Sequence, residues 1–113
     1  MPYVIASPCI DVMDRSCVEE CPVDCIYEGD RKLYIQPVEC IDCGACEAVC
    51  PVEAISLDRQ TPDHEREHIR DNLQFFDSVL PGHERPLGAP GGASKVGRVG
   101  ADTPLVTGWL DRN

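Results

Sequence analysis

Four cysteines and a proline near the middle of the chain form its clearest chemical pattern. Cys40, Cys43, Cys46 and Cys50 follow one another at the spacing C-x2-C-x2-C-x3-C, and Pro51 comes directly after them. This spacing is typical of thiolates that bind a bacterial iron–sulfur cluster. The fourth cysteine of such a run ligates the other cluster when a chain holds two. The run therefore predicts one cluster here and a second half-motif elsewhere.

An internal repeat supplies that second half-motif upstream. The segment C-P-V-D-C-I at 21–26 matches C-P-V-E-A-I at 50–55, with four identities and one acidic exchange in six positions. The same alignment pairs Cys17 with Cys46. Self-similarity of this kind indicates that two halves of the chain fold alike.

The upstream copy lacks one thiolate. Cys9 aligns with Cys40 once two extra residues are allowed before the next cysteine. The position that corresponds to Cys43 is then Val12 when counted forward, or Asp14 when counted back. Neither residue supplies a thiolate, and a valine cannot ligate iron at all.

Exchanging the fourth cysteine between the halves sorts seven cysteines into two unequal sets. Four thiolates suit a [4Fe–4S] cluster, and three suit a [3Fe–4S] cluster, which lacks one corner. Cys25 is left over opposite Ala54, and we interpret it as a small buried thiol beside the four-iron cluster. A water, a hydroxide, Asp11 or Asp14 could instead cap a fourth iron at the open corner. The predicted ligands are Cys21, Cys40, Cys43 and Cys46 for the [4Fe–4S] cluster, and Cys9, Cys17 and Cys50 for the [3Fe–4S] cluster.

Disulfides and structural zinc are the alternative uses of eight cysteines. Disulfides belong to secreted proteins, and residues 1–8 lack the basic start and long apolar run of a signal peptide. Structural zinc usually takes pairs of thiolates separated by a longer loop. No apolar stretch approaches the ~20 residues that cross a membrane. We therefore expect a cluster protein of the reducing cytoplasm.

The chain is acidic, and most of the excess lies in its first half. Residues 1–60 hold twelve Asp or Glu and four Lys or Arg, a net of −8, and residues 61–113 contribute the remaining −2 of the total −10. Such a field disfavours nucleic acid and favours basic docking surfaces, with association that weakens as salt rises. At 113 residues we expect one domain with a modest apolar core.

Short strands and helical turns must position the cysteines. The helical turns predicted at Ser16–Glu20 and Gly44–Val49 carry candidate ligands, and each is stopped by Cys-Pro. The middle two strands flank a four-residue hairpin loop, and the last strand could pair with the first. The elements predict a pseudo-symmetric α+β unit that ends near residue 58. The predicted strands are Tyr3–Ile5, Ile26–Glu28, Leu33–Ile35 and Ile55–Leu57.

The composition changes after residue 58. Thr61–Pro62 is a favourable helix entry, because proline suits the first helical position, and Pro81–Gly82 is a predicted stop. Residues 1–58 are thus a predicted two-cluster core, and residues 59–113 a C-terminal helix and extension of the same domain. The inward face of the helix is predicted to carry Ile69, Leu73, Phe76 and Leu80.

Beyond this helix, residues 87–100 are rich in Gly, Pro and Ala and show no periodicity. We interpret them as an irregular extension that wraps the core, anchored by Leu105, Val106 and Trp109. A partly disordered tail is the alternative, but it would leave those apolar side chains unburied.

One segment at the start of the predicted helix matches a catalytic motif. His64–His68 fits the H-E-x-x-H pattern of zinc proteases. The longer form of that motif fails at Asp71 and Gln74, where a glycine and a third histidine would be needed. We interpret the motif as the solvated polar face of an exposed helix.

With the cysteines placed, the sequence closely resembles the bacterial seven-iron ferredoxins, which carry one [3Fe–4S] and one [4Fe–4S] cluster. The resemblance covers Pro2–Leu57 densely, above all in Cys17–Gly29 and in the C-I-D-C-G-A-C segment at Cys40–Cys46. It extends less sharply through Asn72–Phe76 and Gly88–Lys95. It implies the ferredoxin-like βαββαβ fold, a three-iron cluster that is the easier to reduce, and electron transfer from a ferredoxin reductase to acceptors such as cytochrome P450 enzymes.

These observations together predict a soluble, monomeric one-electron carrier and not an enzyme. A redox or iron sensor is an alternative, in which the open corner near Val12 gains a fourth iron or Cys25 responds to oxidant. A permanent electron-transfer subunit of a larger enzyme is another, and it would expose a large apolar patch.

Overall fold

A computed structural model describes residues 3–41 and 43–109 of the chain. Pro2 and Asp42, which lie in the segments that carry the resemblance, and the predicted extension beyond Trp109 fall outside the described residues. The architecture is the small mixed α/β arrangement that the sequence predicted. Its elements are β1 (Tyr3–Ile5), α1 (Ser16–Glu20), β2 (Ile26–Glu28), β3 (Leu33–Ile35), α2 (Ala45–Val49), β4 (Ile55–Leu57), α3 (Glu67–Asp77), α4 (Ala93–Val96) and α5 (Pro104–Thr107), with single 3-10 turns at Ser7–Cys9, Asp58–Gln60 and Asp63–Glu65.

The strands form two separate antiparallel pairs, and both pairs were predicted. β1 pairs with β4, with Tyr3 opposite Leu57, and the Ala6 amide extends this ladder to the Ala54 carbonyl at 2.8 Å. β2 and β3 form the hairpin, with Tyr27 opposite Tyr34. Each pair has only three residues per strand, so packing on both faces must stabilise it.

Two apolar clusters lie on opposite faces of the hairpin. Side chains alternate between the faces of a strand, so Leu33 and Ile35 point into a cluster rich in cysteine, while Tyr34 points into an aromatic one. The Tyr34 and Phe75 rings stack with their centroids 3.8 Å apart. The aromatic cluster consists of Ile10, Tyr27, Tyr34, Phe75, Phe76, Leu80 and Val106.

Helix α3 differs from its prediction in its bounds. The chain after Pro62 makes a 3-10 turn at Asp63–Glu65, and the α-helix begins only at Glu67. It ends at Asp77, where the Ser78 amide caps the Gln74 carbonyl, well before the predicted stop at Pro81–Gly82.

The predicted inward face of α3 is wrong at Leu73, whose side chain is 45% exposed. The buried positions follow the i, i+3, i+4, i+7, i+8 pattern of a helix face. The first three buried positions hold polar residues. The apolar residues in the sequence therefore indicated a stripe of the helix next to the one that is buried. The buried residues are His68, Asp71, Asn72, Phe75 and Phe76.

The C-terminal extension packs against the hairpin, in line with the wrapping interpretation. The Asp102 carboxylate accepts hydrogen bonds from the Arg31 amide at 2.9 Å and the Tyr34 hydroxyl at 2.8 Å. The Arg31 guanidinium donates to the Val106 and Trp109 carbonyls at 2.8 Å each. Val106 is fully buried, as an anchor should be.

The glycine-rich part of the extension is less irregular than predicted, because it contains the short helix α4. The α4 residues Ala93 and Ser94 donate their amides to the carbonyl and carboxylate of Asp24, both at 2.7 Å. Earlier in this segment, the Gly92 amide donates to the Tyr27 hydroxyl at 3.1 Å. The extension therefore contacts the loop between α1 and β2 as well as the hairpin.

Candidate metal centres

The structure contains the two short helices that were predicted to carry cysteines and to end at Cys-Pro. Cys17 lies within α1 and Cys46 within α2, and Cys21 and Cys50 are the residues that follow these two helices. The two helices pack against each other. All eight thiols are free of disulfide bonds, and only Cys43 is classed as exposed.

One cavity brings together the four cysteines predicted for the [4Fe–4S] cluster. It is lined by all four of them and is partly open to solvent. Burial, reinforced by the nearby Cys40, Cys21 and Cys43 thiolates, raises the pKa of the Cys46 thiol to about 12. The leftover Cys25 is 2% exposed and lines the same cavity. The thiols that line it are those of Cys21, Cys25, Cys40, Cys43 and Cys46.

The three cysteines predicted for the [3Fe–4S] cluster also lie together. Burial raises the pKa of the Cys17 thiol to about 12, and the Cys9, Cys46 and Cys50 thiolates act in the same direction. The pKa of the Cys9 thiol is raised by burial and by Cys50, against the lowering effect of a hydrogen bond from the Leu33 amide. The thiols of Cys9, Cys17 and Cys50 are therefore neighbours although they come from both halves of the chain.

The sequence repeat becomes the same turn in both halves. After each Cys-Pro-Val, the acidic residue has a positive φ, 54° at Asp24 and 53° at Glu53. This left-handed residue turns the following amide back toward the cysteine. The Cys25 amide donates to the Cys21 sulfur and the Ala54 amide to the Cys50 sulfur, both at 3.4 Å. Amide hydrogen bonds to sulfur stabilise a thiolate and are one of the factors that tune an iron–sulfur cluster.

A glycine allows the chain to bend between two of the candidate ligands. Gly44 precedes α2 with a φ of 77°, a conformation that other residues rarely adopt. A side chain here would also lie 2.8 Å from the Tyr3 hydroxyl, so Tyr3 closes this side of the cavity.

The donor chemistry fits iron–sulfur clusters. Thiolates are the usual cluster ligands, and gathering several of them in a buried site is unfavourable unless a cationic core compensates their charge. Among residues 3–41 and 43–109, no three His, Cys, Asp or Glu side chains converge on a single metal ion. In a cluster each thiolate binds a different iron, so its ligands surround a larger centre.

The two carboxylates considered for the open corner, Asp11 and Asp14, already have partners. Arg31 donates to both carboxylate oxygens of Asp11, at 2.9 and 2.7 Å, and lowers the pKa of that carboxyl group. The Ser16 amide donates to Asp14 at 3.0 Å with the same effect on its pKa. Val12, between them, is 49% exposed.

Most of the H-E-x-x-H residues lie on the predicted exposed face, but His68 does not. His64 is exposed in the 3-10 turn, whereas His68 is completely buried in α3. The His68 ring lies 5.3 Å from the Trp109 ring, centroid to centroid, and its Nδ1 lies 3.8 Å from Asp71. The solvated-face interpretation is therefore wrong for His68, which the extension covers.

A buried lysine next to the metal centres was also missed. Lys32 lies at the end of the run Asp30-Arg31-Lys32, which is typical of an exposed hairpin loop, yet its side chain is 0% exposed. The only available signal was strand alternation, which places it on the same side as Tyr34.

Comparison with known proteins identifies the family. Residues 33–56 match the model of the 4Fe-4S binding domain. A protein of Mycobacterium tuberculosis (strain H37Rv) named "Ferredoxin" is 62% identical over 106 residues, which cover 94% of this chain and 93% of that one. A "Ferredoxin" of Streptomyces griseus is 55% identical over 111 residues, 98% of each chain.

A shorter relative carries a more specific name. The "Ferredoxin 7Fe" of Hydrogenibacillus schlegelii is 57% identical over 76 residues, which are 67% of this chain and 97% of that one. Ferredoxins transfer electrons and are not enzymes. The free thiols are clustered, the amide-to-sulfur turn is repeated, and the similarity to named ferredoxins extends over nearly the whole chain. The chain therefore belongs to the ferredoxins, the bacterial iron–sulfur electron carriers.

Proposed function

We propose that this ferredoxin holds one [4Fe–4S] and one [3Fe–4S] cluster and carries one electron at each. Two observations support the proposal. One cavity is lined by Cys21, Cys40, Cys43 and Cys46, together with Cys25. Cys9 and Cys50 both lie close enough to Cys17 to raise the pKa of its thiol. Each proposed ligand set has one member from the other half of the chain. The bound clusters would supply the redox chemistry, while the protein provides thiolates, amide donors and burial. The proposed ligands are Cys21, Cys40, Cys43 and Cys46 for the former cluster, and Cys9, Cys17 and Cys50 for the latter.

The proposed organisation extends to the whole chain. The two halves of residues 1–58 would form a pseudo-symmetric βαββαβ unit, which the matching turns after Cys21 and Cys50 support. Residues 59–113 would belong to the same domain. The described part of this segment supports that assignment through the hydrogen bonds of Asn72 and Asp102 to the strands and hairpin.

Iron and sulfide analysis with EPR tests the cluster composition. Anaerobically purified, oxidised protein is expected to contain about seven irons per chain and to show the signal of an oxidised three-iron cluster. About eight irons without that signal would overturn the [3Fe–4S] assignment. The Cys25→Ala variant serves as a control. It is expected to keep the iron content and the signal, because Cys25 is no ligand in the proposed arrangement.

We further propose that the carrier docks on basic surfaces of a ferredoxin reductase and of acceptors such as cytochrome P450 enzymes. The total charge of −10 supports this, because opposite charges steer the encounter. Exposed Glu19 and Glu20 lie in α1, which ends beside Cys21. No helix in the described ranges has the length and apolar character needed to span a membrane. The eight free thiols suit a reducing cytoplasm.

Salt and charge variants test the docking proposal. The second-order rate of reduction by a ferredoxin reductase with NADPH is expected to fall as ionic strength rises, because salt screens exposed charges. Glu19→Gln is expected to lower this rate about twofold at low salt, as a lost exposed charge pair would. Glu84→Gln, in the exposed loop after α3, makes the same charge change at a distance from the cysteines in sequence. Equal effects of the two variants would contradict docking at α1.

A further inference from the structure

Lys32 is a charged residue in the interior of the protein. Its ammonium donates to the Ile5 carbonyl at 2.6 Å and lies 4.2 Å from the centre of the Tyr34 ring. Asp71 is its ion-pair partner at 3.7 Å, and both side chains are at most 1% exposed. Burying an ammonium costs several kcal/mol, so a residue kept here calls for an explanation beyond packing.

The positive charge of Lys32 acts on Cys9, one of the three proposed ligands of the [3Fe–4S] cluster. The amide of Leu33, the next residue, is hydrogen-bonded to the Cys9 thiol. Ile5, which accepts the ammonium hydrogen bond, lies four residues before Cys9 at the end of β1. The charge of Lys32 also favours the thiolate form of Cys9, and Cys9 is in turn one of its charged neighbours, with Asp71 and Asp102.

Asp71 does not belong to the metal centre. It lies on α3, accepts a hydrogen bond from the Thr103 hydroxyl and faces His68 Nδ1 at 3.8 Å. His68 in turn faces Glu65 at 3.5 Å. The Asp71 carboxylate therefore offsets part of the Lys32 charge from the side of α3. Of these two residues, Lys32 is the one whose charge is felt at Cys9.

We propose that the buried ammonium of Lys32 raises the reduction potential of the cluster held by Cys9, Cys17 and Cys50, and leaves that of the four-thiolate cluster unchanged. The inference rests on the proposed function. Reduction adds one electron, delivered by a partner or an electrode, and therefore one negative charge to the cluster. A fixed cation in a poorly screened interior stabilises the reduced form more than the oxidised form. No bond is made or broken at Lys32.

The experiment compares the two lysines of the chain by substitution with methionine. Lys32→Met removes the buried charge and keeps a side chain of similar length. Lys95→Met removes an exposed charge, so the two variants have the same net charge. Each holoprotein is titrated electrochemically at pH 7, and EPR follows the two clusters separately. Lys32 is expected to be charged at this pH, because its ammonium faces the Asp71 carboxylate at 3.7 Å and donates to the Ile5 carbonyl.

In Lys32→Met, the ratio of reduced to oxidised three-thiolate cluster at a fixed potential is expected to fall about tenfold, equal to about 59 mV for one electron. The four-thiolate cluster is expected to keep its midpoint, and Lys95→Met is expected to shift neither. An unchanged three-thiolate midpoint in Lys32→Met, or an equal shift of both clusters, would overturn the proposal.

Two further variants separate charge from packing. Lys32→Arg is expected to stay close to the original midpoint, because it keeps the positive charge. The double variant Lys32→Met with Asp71→Asn avoids leaving a buried carboxylate unpaired. Its three-thiolate midpoint is expected to fall by less than in Lys32→Met, because loss of the Asp71 charge acts in the opposite direction. Equal shifts in the Arg and Met variants would mean that packing, not charge, sets the potential. If the protein held eight irons, the cluster type would be wrong, but the same titration would still test Lys32 on the cluster bound by Cys9.

Discussion

Replacing Cys50 with alanine is expected to reduce the iron content from about seven to about four atoms per chain. Under the proposed ligand set this variant leaves only Cys9 and Cys17 at the three-iron site. Two thiolates cannot hold three irons, so the whole cluster is expected to be lost and the EPR signal of its oxidised form to disappear. The signal of the reduced four-iron cluster is expected to remain, because its four thiolates are untouched.

The same variant decides whether the halves exchange ligands. Without exchange, Cys50 would bind the same cluster as Cys40, Cys43 and Cys46. The other cluster, held by Cys9, Cys17 and Cys21, would then survive in Cys50→Ala, and its oxidised EPR signal would persist. Persistence of that signal would therefore contradict the proposed site. Cys25→Ala is a suitable control, because Cys25 is a buried cysteine that the proposal leaves without iron.

Replacing Asn72 with leucine is expected to destabilise the protein by about 2–5 kcal/mol. The side-chain oxygen of Asn72 accepts from the amides of Ile5 in β1, at 3.4 Å, and Ile35 in β3, at 3.0 Å. Its Nδ2 donates to the carbonyls of Ile5, at 2.8 Å, and His68, at 2.9 Å. Leucine has nearly the same size but leaves two buried amides without a partner. A buried unsatisfied polar group costs about 1–3 kcal/mol.

The neighbouring residue offers a matched control for this experiment. Leu73→Ala changes the same helix at a side chain that is 45% exposed, so it is expected to cost well under about 1 kcal/mol. The denaturant midpoint of each holoprotein, followed anaerobically through cluster absorbance and far-UV CD, gives the comparison. Equal midpoints for Asn72→Leu and Leu73→Ala would show that the Asn72 bridge between the two strand pairs contributes nothing.

The sequence predicted the elements that carry cysteine accurately, for a physical reason. Cys-Pro stops a helix locally, and the two copies of the motif adopt the same turn at Asp24 and Glu53. Such features depend only on residues that follow one another in the chain, so the sequence alone predicts them. The pairing of β1 with β4 was predicted as well, because few strands were available.

Besides the bounds of α3 and the exposed Leu73, the errors concern polar residues that tertiary contacts bury. His68, Asp71 and Asn72 occupy the inward face of α3, and Lys32 lies beneath it. Residue type alone assigns each of them to the surface, and each has at least one partner that is far away in sequence. The amide of Asn72, for example, reaches Ile5 across 67 residues. The grouping of the thiols was expected from the repeat, whereas the buried charge beside Cys9 was not.

The pairing of the first strand with the last one of the core has a consequence for synthesis of the chain. Tyr3 meets Leu57 across 54 positions (57 − 3). At a translation rate of about 5–20 residues per second, β1 waits roughly 3–11 s before its partner exists. Under the proposed ligand set, Cys9 and Cys17 wait for 41 (50 − 9) and 33 (50 − 17) residues before Cys50 exists, roughly 2–8 s. The nascent thiols therefore stay accessible to oxidants and stray metals during this interval, so cluster insertion is expected to follow release of the core from the ribosome.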